Sequence, residues 1–330
     1  LPMLLLWGVM LAFKPSVRQS FARHRKKSAS AFAVLLLLAG FSILVGHGLW
    51  SALRAHDREW RARDVVLEHA STIDQFEMPG GTRLQLLRPH AVDTFTSAKF
   101  PVATRALGLQ VTQMQRLLRH AADGSQPYPV TMDVTLAQDQ PVEGWHCAAA
   151  HPVSFDFSGE PRGTPSFRAC HLAAGHRVDM AEVPMGTVVR RTGNTVYGDG
   201  AHDDDAWRLE LDDEAADSMN VQGLQLRAAV LRVDEQHRLV GFSGVLAVEQ
   251  AWRGEQYPAG LRVQRLGGTL RRRWGDALAF SPVEGQVLRR QGAPDVTPGH
   301  TLLRGIDGRT LGVVPNAEAG VMEFTVLRVN

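Results

Sequence analysis

Two cysteines and the histidines beside them come nearest to a metal-binding pattern in this sequence. His146 precedes Cys147 and Cys170 precedes His171, so four side chains of the kind that zinc prefers lie close together along the chain. Adjacent residues on a strand point to opposite faces, so one His-Cys pair does not easily give both side chains to a single ion. A disulfide between neighbouring strands, with the histidines turned away, suits the spacing better. We therefore treat Cys147 and Cys170 as a candidate disulfide and assign no metal ligand.

A second candidate is the acidic segment from Gly198 to Asp217, in which seven residues are aspartates. Calcium takes oxygen ligands from such loops, but the alternating aspartate order of a helix-loop-helix calcium site is missing. A solvated acidic loop is the simpler interpretation. Two of these carboxylates facing one another across a cleft, less than about 10 Å apart, would instead be the acid and base of a hydrolase.

The third candidate is the basic and aromatic cluster Arg271, Arg272, Arg273 and Trp274, which suits contact with a phosphate or an anionic lipid head group but also fits a solvated face. Ser243 lies in a Gly-Phe-Ser-Gly sequence that lacks the spacing of a nucleophile elbow, so we interpret it as a turn residue. The sequence has no zinc-protease motif and no phosphate-binding loop of the Walker type. We predict no catalytic residue and no cofactor.

The element that positions everything else is the uncharged apolar run at residues 28–53. About 20 apolar residues are enough to cross a hydrocarbon core of ~30 Å as a helix, so we predict a transmembrane helix here. A shorter apolar segment, residues 1–13, precedes it and is predicted to be the tail of a first membrane helix or an in-plane anchor. If it is a helix tail, the two runs form a helical hairpin.

Charge along the chain predicts the orientation. The net charge is +2, but seven basic residues and no acidic residue precede Asp57, which leaves −5 for the remainder. Most of these basic residues lie in the segment 14–27, and positive loops stay in the cytoplasm. We therefore predict a bacterial inner-membrane protein with a cytoplasmic loop at 14–27 and the bulk of the chain in the periplasm. The outward location and the −5 balance disfavour nucleic acid as a partner.

The outer part is predicted to be mainly β. Residues 54–75 mix charged and apolar side chains as in a juxtamembrane helix, whereas residues 76–330 contain short alternating runs bounded by Gly, Pro, Asp and Asn. The exception is 111–122, which fits either a helical insertion or one more strand.

Two phrases recur in this region, a Leu-Ala start before a polar turn, and a Pro-x-Gly turn before an alternating strand. The Pro-x-Gly phrase with its strand, or a relic of it, ends at residues 85, 190, 264 and 304. Gly108 and Gly223 are assigned to the glycine position of this phrase, with the proline absent. Taking Gly186, Gly223 and Gly260 as markers gives a step of 37 residues. We therefore predict degenerate repeats of this length, either solenoid-like or in an elongated sheet. A β-sandwich or jelly roll is the competing fold.

Three functions fit this organisation. The first is a binding or scaffolding surface for another envelope component, a protein, glycan or lipid, held at the membrane by its anchor. The second is a bridge that passes an amphipathic lipid along an apolar groove, since a membrane helix followed by a β-rich outer domain resembles the architecture of lipopolysaccharide-transport bridge components. That resemblance concerns the fold alone. The third is the periplasmic hydrolase. The first requires a filled interior, the second an open apolar groove and the third a carboxylate cleft.

Overall fold

The structure is a computed structural model that describes residues 25–120, 127–157, 163–197, 200–211 and 218–321. The predicted segment 1–13 and most of the predicted loop 14–27 lie outside the described residues. The chain divides into two units, Leu1–Val65 with Leu86–Ala91, and Val66–Gln85 with Val92–Asn330.

One long helix, α1 (Arg25–Arg61), dominates the first unit and covers the apolar run at 28–53. Among the side chains of α1 that the structure describes, Leu37, Phe41 and Leu44 are exposed to solvent. Within the part of the chain that the structure describes, no helix combines the length and the apolarity that a membrane crossing requires.

The helix ends earlier than predicted. It stops at Arg61, and Asp64–Val66 and Ser71–Ile73 are strands, so the prediction of a helix up to residue 75 is wrong beyond Arg61. The β-branched residues Val65 and Val66 favour an extended backbone, which explains why the helix does not continue through them.

The second unit is built on a large antiparallel sheet, and the mainly β prediction is confirmed. From β4 onward its strands are hydrogen-bonded in chain order, while short hairpins form separate two-stranded sheets. The strands are β1 (Asp64–Val66), β2 (Ser71–Ile73), β3 (Phe76–Met78), β4 (Arg83–Leu86), β5 (Phe95–Ala106), β6 (Leu109–Arg119), β7 (Tyr128–Leu136), β8 (Gln140–Val142), β9 (Trp145–Cys147), β10 (Val153–Phe157), β11 (Pro165–His171), β12 (Arg177–Val178), β13 (Ala181–Glu182), β14 (Val188–Arg191), β15 (Trp207–Glu210), β16 (Ser218–Val221), β17 (Leu224–Val233), β18 (Leu239–Leu246), β19 (Gln250–Trp252), β20 (Glu255–Tyr257), β21 (Arg262–Arg265), β22 (Ala277–Ser281), β23 (His300–Gly305) and β24 (Thr310–Pro315).

Two sequence assignments are settled by these strands. Residues 111–119 of the segment 111–122 lie in strand β6, so this part is a strand and not a helical insertion. Ser243 lies inside β18, opposite Val230 and Gln264 on the neighbouring strands, so its interpretation as a turn residue is wrong.

Aromatic side chains of the short hairpins fill one face of the sheet. Trp145 of the β8–β9 hairpin packs edge-on against Trp207 of β15, with ring centroids 5.7 Å apart. Tyr257 of the β19–β20 hairpin stacks on Phe280 of β22 at 4.3 Å. All four side chains are at most 2% exposed. Burial of large aromatic side chains is a main source of core stability, so each hairpin stabilises the sheet strands beneath it.

A second cluster covers the opposite face near the end of the described chain. In β22, Ala277 and Ala279 alternate with Leu278 and Phe280, and alternate residues of a strand face opposite sides. The two alanines pack with Leu266, Leu303 and Val314, beneath helix α2 (Gly268–Trp274) and a 3-10 turn (Asn316–Ala319).

Two of the Leu-Ala phrases, at Leu172 and Leu246, and three of the Pro-x-Gly phrases share a structural role. In three places a leucine carbonyl accepts a hydrogen bond from a glycine N–H at the same separation along the chain, and a short hairpin lies between the two. The pairs are Leu67 with Gly81 (2.6 Å), Leu172 with Gly186 (2.8 Å) and Leu246 with Gly260 (2.8 Å). Each glycine has a positive φ, which glycine adopts without steric cost.

Gly108 and Gly223 occupy a different position. They lie in the tight turns between β5 and β6 and between β16 and β17, so the 37-residue step that counted Gly223 as a marker is wrong. Equivalent contacts recur at a longer interval. The Gln140 side chain accepts a hydrogen bond from the Gln110 N–H (3.0 Å), and Gln250 accepts one from the Gln225 N–H (3.1 Å). Three pairs of residues with matching contacts are 105 to 115 positions apart, Leu67 and Leu172, Gln140 and Gln250, and Gln110 and Gln225, whereas the third Leu-Gly contact, at Leu246, follows Leu172 by 74 positions.

Candidate functional site

An open depression of about 800 Å³ lies at one end of the sheet. Its walls are the loop between β14 and β15, the turn between β17 and β18 and the start of α2. The loop of residues 192–206 is longer than the corresponding connection between β4 and β5, residues 87–94, in the other half of the repeated arrangement. The loop that forms one side of the depression is therefore an addition to the strands and hairpins that the two halves of the repeated arrangement have in common.

Asp203, which lines the depression, belongs to a hydrogen-bonded cluster with Tyr197 and Arg232. The Asp203 carboxylate accepts hydrogen bonds from the Tyr197 hydroxyl (2.6 Å) and the Arg232 guanidinium (2.8 Å) through Oδ2, and from the Gly268 N–H (3.2 Å) through Oδ1. The Arg232 and Asp203 side chains are only 19% and 8% exposed. This cluster ties the loop 192–206 to the sheet and to α2.

The pKa values of this cluster follow from burial and pairing. Burial alone would raise the pKa of Asp203, but the hydrogen bonds from Tyr197, Gly268 and Arg232 outweigh it and keep the pKa below its ordinary value. Burial raises the pKa of Tyr197, and its hydrogen bond to the carboxylate adds to this rise. Asp203 is therefore a paired anion at neutral pH and is unsuited to act as a general acid.

Two consecutive glycines make room for the cluster. A Cβ at Gly267 would overlap the Tyr197 hydroxyl and lie 2.6 Å from Asp203 Oδ2, and a Cβ at Gly268 would lie 2.5 Å from the Tyr197 ring. Gly268 also has a φ of +52°, which side chains other than that of glycine rarely adopt. The Gly267-Gly268 pair therefore allows the backbone of α2 to approach the cluster closely.

The other carboxylates of the depression have basic partners, with one exception. Asp234 pairs with Arg238 (2.7 Å), and Glu235 pairs with Arg191 (2.8 Å). Asp204, whose side chain is 89% exposed, lies 3.9 Å from His202 and forms no ion pair with an arginine or lysine of the described residues.

The basic side chains of the depression are of two kinds, those that are paired with a carboxylate and those that are not. Arg265 is held by Asp276 through two hydrogen bonds of 2.6 and 2.7 Å. Arg271 and Arg272 of α2 also line the depression, and neither forms an ion pair with a carboxylate among the described residues.

The predicted basic cluster is thus split by the helix. Arg271 and Arg272 face the depression, whereas Arg273 lies 3.8 Å from Glu318 and covers the ring of Trp274 at 4.9 Å. Trp274 packs against the second core. Of the four residues that the sequence offered as a candidate anion contact, Arg271 and Arg272 therefore line this depression.

Cys147 and Cys170 form a disulfide. The bond links β9 of the short hairpin to β11 of the large sheet, so it fixes the hairpin over the sheet. His146 is exposed, and the His171 ring stacks on that of His151 at 4.1 Å. Within the described ranges, no group of three or more His, Cys, Asp or Glu side chains is arranged to hold a metal ion.

The acidic segment is partly built into the fold. Asp205 is 1% exposed and accepts hydrogen bonds from the Thr195 N–H (2.8 Å) and hydroxyl (2.6 Å). Asp203 is buried as well, so the interpretation as a solvated loop is wrong for these two residues. Residues 198–199 and 212–217 of the segment lie outside the described residues.

Sequence reasoning missed Arg232 because Asp203, its partner, is 29 residues away, and it missed Tyr197 because the path of the loop that brings Tyr197 to Asp203 is not evident from local pattern. The adjacent glycines at 267–268 were the signal available, since such a pair often marks a close backbone approach. Comparison with known proteins found no matching family model, no related characterised protein and no similar solved structure. The chemistry of the depression therefore carries the functional argument.

Proposed function

We propose that this chain is a membrane-anchored protein of the bacterial inner membrane whose β-rich domain, in the periplasm, is a binding or scaffolding surface for another envelope component. The observation that carries the proposal is the polar depression, which is formed by a lengthened loop and a short helix added to a repeated framework. Loops placed on a rigid scaffold commonly carry binding functions.

The packing of the sheet supports a surface more than a lipid conduit. A lipid bridge requires an apolar groove that side chains leave open. The hairpin aromatic residues Trp145 and Tyr257 fill the face that would have to provide it, and both are fully buried. The repeated Leu-Gly contacts close the β2–β3, β12–β13 and β19–β20 hairpins at their bases, which suits a rigid scaffold.

The carboxylates of the depression also favour binding over hydrolysis. A glycoside hydrolase needs one carboxylic acid with a raised pKa. Asp203 and Asp234 both have pKa values below the ordinary range because hydrogen bonds and basic partners outweigh the effect of burial.

Membrane anchoring rests on the uncharged run at 28–53, on the basic segment before it and on the exposed apolar side chains of α1. It is tested by labelling spheroplasts with a membrane-impermeant maleimide, using Ser20→Cys and Val248→Cys variants. Val248 is exposed at the turn before β19, and the native cysteines are bridged. We expect labelling at residue 248 and not at residue 20. The opposite pattern would overturn the periplasmic assignment.

The binding surface is tested in cells by a photo-cross-linking amino acid at Asn194, which lines the depression, with exposed Val102 as the matched control. We expect a discrete adduct from position 194 and none from position 102. Adducts from both positions, or from neither, would contradict the assignment of the depression. A stoichiometric acyl lipid in the purified protein would favour the lipid bridge instead.

A further inference from the structure

We propose that the depression binds a phosphate ester of a small polyol, with Arg271 and Arg272 as the residues that hold the phosphate. The inference rests on the proposed binding function and specifies its ligand.

The charges that line the depression are mostly neutralised by neighbours within the fold. Asp203, Asp234 and Glu235 each have an arginine partner, and Arg265 has Asp276. What remains is a pair of adjacent arginines on α2 and one exposed carboxylate, Asp204. Arg271 also helps to lower the pKa of Asp276, but that carboxylate is already bound by Arg265. Among the described residues, the depression therefore offers two guanidinium groups without an ion pair of their own, and an anion is the ligand they attract.

Two arginines match a phosphate better than a single carboxylate. A phosphate monoester carries a charge of about −1.5 to −2 at neutral pH and three acceptor oxygens. A guanidinium group presents planar, paired donors that bind phosphate oxygens in bidentate fashion. Two such groups thus balance both the charge and the oxygens of one phosphate.

The rest of the lining suits hydroxyl groups. Asn194 and Gln236 are exposed and add amide donors and acceptors beside the arginines. A volume of about 800 Å³ exceeds what a phosphate alone needs and falls within the range of small-molecule sites. A glycerol or sugar phosphate therefore fits this chemistry, whether it is free or is the head group of a lipid.

The test is isothermal titration of the full chain in zwitterionic nanodiscs with inorganic phosphate, glycerol 3-phosphate and glucuronate. We expect glycerol 3-phosphate to bind most tightly. Arg271→Gln and Arg272→Gln should each weaken it about tenfold, since a charge-assisted hydrogen bond is lost. Asp204→Asn should tighten binding about twofold, because it removes a like charge beside the ligand.

Arg273→Gln is the matched control, because this neighbouring arginine lies against Glu318 and Trp274 and does not line the depression. It should change the affinity less than twofold. An equal loss in this variant would show binding to the general positive charge of α2 and would overturn the site. So would undetectable binding of both phosphate probes, or tighter binding of glucuronate than of glycerol 3-phosphate.

A second titration, in nanodiscs that contain phosphatidylglycerol, distinguishes a lipid head group from a soluble phosphate ester as the ligand. Competition with glycerol 3-phosphate supports the site with a lipid head group as ligand, and unchanged affinity supports it with a soluble ester. Unfolding midpoints of the variants within 1 °C of the parent would show that they are folded. If the spheroplast labelling succeeds and phosphate binding fails, only the ligand assignment falls.

Discussion

The substitution Gly267→Ala tests whether close backbone approach holds the wall of the depression together. The new Cβ would overlap the Tyr197 hydroxyl and lie 2.6 Å from Asp203 Oδ2 and 3.2 Å from Arg232 Nη2. None of these three groups can move away freely, because each is hydrogen-bonded to the others.

The expected cost follows from two contributions. Overpacking in a well-packed region costs about 1–3 kcal/mol. Weakening a hydrogen bond to a charged group adds about 1.5–3 kcal/mol, less whatever local relaxation recovers. We therefore expect the free energy of unfolding to fall by about 3 kcal/mol, in the range that these two effects span. With an m-value of about 3 kcal/mol/M, the urea midpoint drops by about 1 M.

The assay is urea unfolding of the full chain in detergent, followed by tryptophan fluorescence. Gly193→Ala is the matched control, because this glycine lies in the same loop and has no positive φ, and a methyl group added to it would meet no atom within 4 Å beyond its chain neighbours. In a Tyr197→Phe background, Gly267→Ala should cost at least about 1 kcal/mol less, since the overlapped hydroxyl is gone. Equal midpoints for Gly267→Ala and Gly193→Ala would refute the argument.

Two further predictions concern the β8–β9 hairpin. The double variant Cys147→Ser/Cys170→Ser should lose about 3 kcal/mol of unfolding free energy, because the bridge closes a loop with a sequence separation of 23. Urea midpoints should then become independent of reductant, and a reductant-independent parent would contradict the bridge. His237 stacks on Trp145 at 3.9 Å and is near His176, Asp234 and Glu235; burial lowers the pKa of His237 and His176. Both histidines are therefore neutral in the folded protein at neutral pH. Because the unfolded chain takes up these protons more readily, the free energy of unfolding should decrease as the pH falls through about 6.5, the pKa of histidine in the unfolded chain. His237→Phe should flatten this decline between pH 7 and 5, and an unchanged profile would assign it to other groups.

The sequence predicted much of the fold because its signals are local. Alternation of apolar and polar residues identified the β-rich region, and three of the Pro-x-Gly phrases marked turns that share one hydrogen-bonding pattern. The end of α1 and the position of Gly223 were misjudged, because a helix boundary and a turn type depend on contacts that a short window does not contain.

The candidate site was predicted only in part. The pairing of Cys147 with Cys170 followed from their number and spacing, and the basic run at 271–274 did mark one wall of the depression. Arg271 and Arg272 lie toward the depression, whereas Arg273 lies toward Glu318. This division depends on how the short helix α2 is oriented on the sheet.

What the sequence determined by itself is the class of structure, since periodicity, turn residues and charge asymmetry are properties of neighbouring residues. What only the tertiary structure decided is which charges neutralise each other. Asp203 and Arg232 are 29 residues apart in the chain, and Asp203 accepts a hydrogen bond from the N–H of Gly268, which is 65 residues further along. Their pairing depends on how strands β15, β17 and β21 are ordered in the sheet, and that order is set by the packing of the whole domain.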